Sequence, residues 1–203
     1  MKKISIVLTA LLLTTVAVFA QTDKESKAIL DKAIAQFEKG GVEMNGVVHY
    51  GSDGAFALSL KMDHERFYGH VADFAIWFDG KTQWFLRSGE IYISEPAPNE
   101  QLYANPYLMM KDAEKLFNIS KADGKLPEGA ASGILLTPRT TDELQSARIF
   151  FDKESRPVSI KAVLRNGNSA NVEITSFKNA QKYKSGDFSC DTKKHDAEII
   201  DMR

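Results

Sequence analysis

Apolar and polar residues alternate strictly from Ala55 to Met62: Phe56, Leu58, Leu60 and Met62 fall on one side, Ala55, Ala57, Ser59 and Lys61 on the other. Period two with one apolar face predicts a strand that covers something on one side only. Similar runs predict strands at 66–71, 74–78, 82–86 and 90–94, joined by short turns at Asp79-Gly80 and Ser88-Gly89. The first of these turns lies between Trp77-Phe78 and Trp84-Phe85, and Asp-Gly between hydrophobic runs is a strong hairpin signal because both positions tolerate positive φ. A second series is predicted at 133–137, 147–151, 158–164, 170–177 and 188–191, with turns at 152–157 and Asn166-Gly167.

Helical spacing occurs elsewhere. Ile29, Leu30, Ala33, Ile34 and Phe37 recur as one face of a helix over 22–38, with Thr22 and Glu25 as its capping box and Gly40-Gly41 as its stop. The strand series is interrupted at 95–123, where Pro96, Pro98 and Pro106 exclude a central strand and Asn105-Pro106 opens the apolar segment Tyr107-Leu108-Met109-Met110. That segment is expected to form one or two helical turns lying across the sheet. The fold expected is mainly β with a few helices (α+β): an incomplete antiparallel β-barrel of about eleven strands, closed by an N-terminal helix and a short lid helix.

The N-terminus changes the compartment. Met1-Lys2-Lys3 precedes an unbroken apolar run from Ile4 to Ala20, with Val18 and Ala20 at the small-residue positions of a cleavage site. Residues 1–20 read as a secretory signal peptide cleaved after Ala20, leaving 21–203 as one exported domain. Cleavage removes Lys2 and Lys3 and takes the formal charge from −1 to −3, which argues against nucleic acid as a partner. Cys190 is the only cysteine, so no intramolecular disulfide holds the domain together, and packing must do so.

Chemistry is sparse beside this hydrophobic surface. Of the four histidines, only His64 and His70 are close in sequence, and in a strand they would lie about 20 Å apart, too far to share a metal. The sequence has no nucleophile elbow, zinc-protease helix or phosphate-binding glycine loop, and Cys190 has no histidine or lysine neighbour to activate it. The expectation is a non-enzyme without cofactor or metal. Phe56, Leu58, Leu60, Phe67, Phe74, Ile76, Phe78, Trp84, Leu86, Ile91 and Ile93 are expected to converge on the concave side of the sheet. Most would be ordinary core; the rest would line a cavity, because one helix and a methionine-rich segment do not fill so large a sheet.

The order of these features resembles the LolA-type periplasmic carriers of outer-membrane lipoproteins. The resemblance is carried by Asp79-Gly80-Lys81-Thr82-Gln83-Trp84-Phe85, by Asn105-Pro106-Tyr107-Leu108-Met109-Met110, by Leu135-Leu136-Thr137-Pro138-Arg139 and by Asp187-Phe188, behind a leader and an amphipathic helix. It implies a dry cavity that takes up the acyl chains of lipoproteins. It also implies receipt from an inner-membrane ABC-type releasing complex, delivery to an outer-membrane acceptor, and a monomer without cofactor. Tyr107, Leu108, Met109 and Met110 would be the lid, with Arg66 the candidate for the arginine that ties barrel to lid. The family's proline before Phe67 is absent here, and Gly69 stands where its tryptophan would be. Two other readings stay open: a scaffolding protein with a solidly packed sheet, and a lipid-binding protein with a different cargo.

Overall fold

The computed structural model describes residues 23–50, 54–97, 105–140 and 144–203. The leader and Thr22 lie outside them. The chain folds as an N-terminal helix α1 (Lys24–Phe37) followed by six strands: β1 (Gly41–Tyr50), β2 (Ala55–Asp63), β3 (Arg66–Val71), β4 (Phe74–Phe78), β5 (Gln83–Arg87) and β6 (Glu90–Ser94). Two short helices follow, α2 (Pro106–Lys111) and α3 (Ala113–Leu116). The remaining strands are β7 (Phe117–Lys121), β8 (Ser132–Pro138), β9 (Leu144–Phe151), β10 (Pro157–Leu164), β11 (Ser169–Gln181) and β12 (Glu198–Asp201).

These strands form one curved twelve-stranded sheet in the order β12-β6-β5-β4-β3-β2-β1-β11-β10-β9-β8-β7. Its two meanders meet where β1 pairs with β11, and the two ends of the sheet do not pair with each other, which leaves the barrel incomplete. All pairings are antiparallel except β12 with β6, which is parallel.

Several local expectations are corrected. The cap of α1 is Asp23, whose carboxylate accepts from the backbone N–H groups of Glu25 and Ser26 and from the Ser26 hydroxyl. An Asp cap satisfies N–H groups that the first helical turn leaves without partners. Strand β1 is hidden in the sequence by Gly46, which interrupts the apolar series Val42, Met44, Val48. A Cβ there would lie 2.3 Å from the Glu173 carbonyl oxygen, at the register shift against β11, so the strand needs a glycine where the two backbones approach. The predicted strand at 188–191 is instead the end of a 3₁₀ turn (Ser185–Phe188) and an extended stretch, with Phe188 wholly buried. The Asp79-Gly80 turn is a four-residue loop: the last pair is Phe78 with Gln83, and the Asp79 carboxylate accepts from the N–H groups of Lys81 and Thr82. The two-residue turn with positive φ at both positions is Ser88-Gly89, at 53° and 80°.

Candidate functional site: an apolar cavity on the concave face

Pairing fixes which side chains share a face. Opposite residues in an antiparallel ladder point the same way, so Met62 with Phe67, Phe67 with Phe78, Gly69 with Ile76 and Ile76 with Phe85 define the concave face of β2–β5. Phe56, Leu58, Leu60, Phe67, Phe74, Ile76 and Phe78 all have this parity. Trp84, Leu86, Ile91 and Ile93 do not: Trp77 pairs with Trp84, and Trp84 pairs in turn with Ile93. The expectation that these four join the others on the concave side is therefore corrected. They form a separate cluster on the convex face, with Trp77, Cys190 and Ala197, beneath the C-terminal segment. The parity is present in the sequence, since Phe78 and Trp84 are separated by an even number and the loop between their strands has four residues.

The concave face is filled unevenly. Helix α1 lies over β7, β8 and β11, and its Leu30 and Ala33 pack with Ala113, Phe117, Ile119, Ile134, Leu136 and Phe151 into a closed core. At its C-terminal end Phe37 joins Val42, Met44, Met62, Phe67, Phe78 and Tyr107. Beyond that cluster, nothing among the described residues fills the face, and a cavity of about 340 Å³ remains. Its floor is Met44 of β1 with Leu58 and Leu60 of β2. One wall is Phe67, Gly69 and Val71 of β3 with Phe74 and Ile76 of β4 and Phe85 of β5; the other is Ile160 of β10 with Val172 and Ile174 of β11. His70 is the one titratable residue in the lining. Of the predicted residues, the structure brings Leu58, Leu60, Phe67, Phe74 and Ile76 to this cavity. Phe78 lies in the core beside it, and Phe56 is half-buried outside it.

Gly69 shapes the cavity. Its missing side chain would point at Ile76 and Leu60, with a Cβ 3.2 Å from Ile76 Cγ2 and 3.7 Å from Leu60 Cδ1. Any residue larger than alanine would occupy the space directly.

The predicted lid segment is helix α2, but Tyr107, Leu108, Met109 and Met110 are not among the residues that line the cavity. Tyr107 is buried and packs with Leu108 and Met110 against the Phe37 cluster, while Met109 and Met110 pack on the α1 core. Asn105, completely buried, holds the helix in place: its side-chain oxygen accepts from the N–H of Tyr107 at 2.9 Å and its amide donates to the Glu65 carbonyl at 2.6 Å. Arg139 holds the following helix, α3, where it meets β7, donating to the backbone carbonyls of Glu114 and Phe117. Arg66, the candidate for tying barrel to lid, makes no hydrogen bond to α2 among the described residues. It sits on the convex side, paired with Asp63 and with its guanidinium 5.2 Å from the centre of the Phe188 ring, so it ties the β2–β3 turn to the C-terminal segment. Asn105 and Arg139 both fall within the motifs quoted above; their roles are not readable there because each depends on backbone atoms far away in sequence.

The two most strongly raised groups lie outside the cavity lining. Burial, and secondarily the charge of Asp191, pushes the Cys190 thiol up to about 11, which leaves it protonated and unreactive. Burial likewise raises the Tyr183 hydroxyl to about 12. Among the described residues, no cluster of histidine, cysteine or carboxylate side chains could hold a metal, and no helix is long and apolar enough to cross a membrane.

A solved structure shares the fold, and others are more distantly similar. An uncharacterized conserved protein from Thermus thermophilus superposes with a TM-score of 0.59 at 14% identity, covering 88% of this chain and 99% of that one. A LolA superfamily protein from Nitrosomonas europaea gives 0.46 at 11% identity, over 85% of this chain and 99% of that one. The Pseudomonas aeruginosa MucA/MucB complex gives 0.45 at 10% identity, over 82% of this chain and 61% of that one. No curated protein matches the sequence significantly. The family model described as outer membrane lipoprotein carrier protein LolA matches residues 16–125, more than half of the chain and the whole stretch from α1 to β7. The chain therefore belongs to the LolA family of outer-membrane lipoprotein carrier proteins.

Proposed function

We propose that this protein is a carrier that shelters an acyl chain of an outer-membrane lipoprotein in the concave cavity and ferries it through the periplasm, as a monomeric single domain spanning 21–203 after loss of its leader. The observation that supports this most is a cavity of about 340 Å³ walled almost wholly by aliphatic and aromatic side chains, in a chain of this family. The volume lies at the low end of the range of about 300 to 1,000 Å³ that small-molecule sites occupy. It suits one acyl chain better than several. Each methylene withdrawn from water contributes about 0.8 kcal/mol, so a partly sheltered chain is held firmly yet remains transferable. Its partners would be an inner-membrane ABC-type releasing complex and an outer-membrane acceptor; binding and release need no catalysis and no cofactor.

The test is to add purified 21–203 to spheroplasts of the source organism and assay the supernatant for lipoproteins. Release as a soluble one-to-one complex is expected. If lipoproteins stay on the membrane while the protein still binds a free acyl chain saturably, the cargo is wrong and the protein is a carrier of another lipid. No saturable acyl binding by the folded protein would contradict the cavity reading itself.

A further inference from the structure

We propose that an acyl ligand enters the cavity at the β3–β4 end of the sheet, past Phe74 and Phe85, and leaves its carbonyl head against Arg87, instead of entering from beneath helix α2. The inference rests on the reading of the cavity as an acyl site and specifies its entrance and orientation.

Helix α2 belongs to the opposite end. Asn105 bonds the Glu65 carbonyl in the β2–β3 turn, and the Tyr107 ring lies 5.9 Å from His64 in the same turn. Strand β3 runs away from that turn, and the four residues from Phe67, against which Tyr107 packs, to Val71 at the cavity's far end span about 13 Å. None of Tyr107, Leu108, Met109 or Met110 lines the cavity. They are spent on the two core clusters, so lifting α2 would break the core and the buried Asn105 bonds before it reached the ligand.

The other end is built differently. Val71, Phe74 and Phe85 line the cavity at this end, and the residues beside them, Ala72, Asp73 and Arg87, are exposed, which opens this end of the cavity to solvent. The Phe74 and Phe85 rings stack with centroids 6.0 Å apart, and such a pair can part by rotation about its own side-chain bonds without breaking a backbone hydrogen bond. The guanidinium of Arg87 lies 4.9 Å from the centre of the Phe74 ring, at the solvent side. Arg87 is exposed and forms no ion pair among the described residues; Glu90, across the strand from it, is engaged by the Tyr92 hydroxyl. The Tyr92 hydroxyl, which feels the charge of Arg87, is the other titratable neighbour, and the negative charge of Glu90 lies beside them. The guanidinium therefore keeps a planar fork of N–H donors free for acyl oxygens, whether the ester or amide carbonyls of an acylated peptide or the carboxylate of a free fatty acid.

Phe74→Trp and Phe67→Trp place reporters at the mouth, where Phe74 pairs with Val71, and at the inner end of the cavity, where Phe67 pairs with Phe78. Fatty acids carrying a nitroxide near the carboxylate or near the chain end then report orientation by quenching beyond that of the native tryptophans, which face the convex side. The head-labelled probe should quench the Phe74→Trp reporter severalfold more than the Phe67→Trp reporter, and the tail-labelled probe should reverse the order. The opposite pattern would overturn the entrance proposed here while leaving the acyl site intact. No added quenching at either position, with unchanged circular dichroism, would overturn the acyl site as well. Arg87→Gln should weaken fatty-acid binding about tenfold, the worth of one charge-assisted hydrogen bond, and should weaken an acylated peptide less. Equal affinities of wild type and Arg87→Gln for both probes would overturn the placement of the head.

Discussion

The two halves of the concave face are built from the same kind of strand and meet different fates. In the β7–β9 half, Phe117, Ile119, Ile134, Leu136 and Phe151 are each 2% exposed or less, because α1 lays Leu30 and Ala33 on them. In the β2–β5 half, Leu58, Leu60, Phe74, Ile76 and Phe85 have equally apolar side chains and remain half-buried around empty space. Strand hydrophobicity does not separate core from cavity. What separates them is whether a covering element reaches that part of the sheet, and α1, fourteen residues long, ends at Phe37 before it covers β3 and β4.

The sharpest way to break this comparison is to truncate a large side chain in each half. Phe151→Ala should lower the unfolding free energy by about 3 to 5 kcal/mol, the usual cost of emptying a fully packed aromatic site, as measured by chemical denaturation. Leu58→Ala should cost no more than about 1 kcal/mol, because this side chain already borders a void and water. Similar losses at both sites would show that the two halves are packed alike. Between these extremes, Asn105→Ala should cost about 1 to 3 kcal/mol, since it removes the cap of α2 and leaves the Glu65 carbonyl without its partner.

The smallest expected effect concerns the end of the sheet away from the cavity mouth. Partial burial raises the Asp63 carboxyl, but hydrogen bonds from His64 and Arg66 outweigh it and hold the group below its ordinary value. A depressed folded-state pKa contributes stability that is complete above the unfolded value, near 3.8, and is lost as pH falls through the folded one. Asp63→Asn should therefore lower stability slightly at neutral pH, and the difference from wild type should vanish in strong acid; a difference that persists there would assign the effect to packing.

Much of this architecture is legible in the sequence, and what is not has specific causes. Period two marks β2–β6 and the helical period marks α1, because each of those elements buries one face. Strand β12 carries too weak a pattern: four residues, mostly exposed, become a strand by pairing in parallel with β6. Strand β7 is masked by the irregular segment before it. Selecting cavity residues for being apolar, without regard to parity, groups Trp84, Leu86, Ile91 and Ile93 with residues that point the other way. The cavity walls from β10 and β11, Ile160, Val172 and Ile174, escape a reading of the first meander because they belong to the second, and only the β1–β11 pairing brings them opposite β3 and β4.

Gly69 offers the most direct test that the empty space is the binding site. Titration of a fatty acid and of an acylated lipoprotein peptide into wild type and Gly69→Leu, followed calorimetrically with thermal unfolding as a control, reads occupancy and stability separately. Filling the cavity from β3 should abolish one-to-one binding of both ligands while the unfolding midpoint stays close to that of wild type. Undiminished binding by a folded Gly69→Leu protein would contradict the account and place the ligand elsewhere on the molecule.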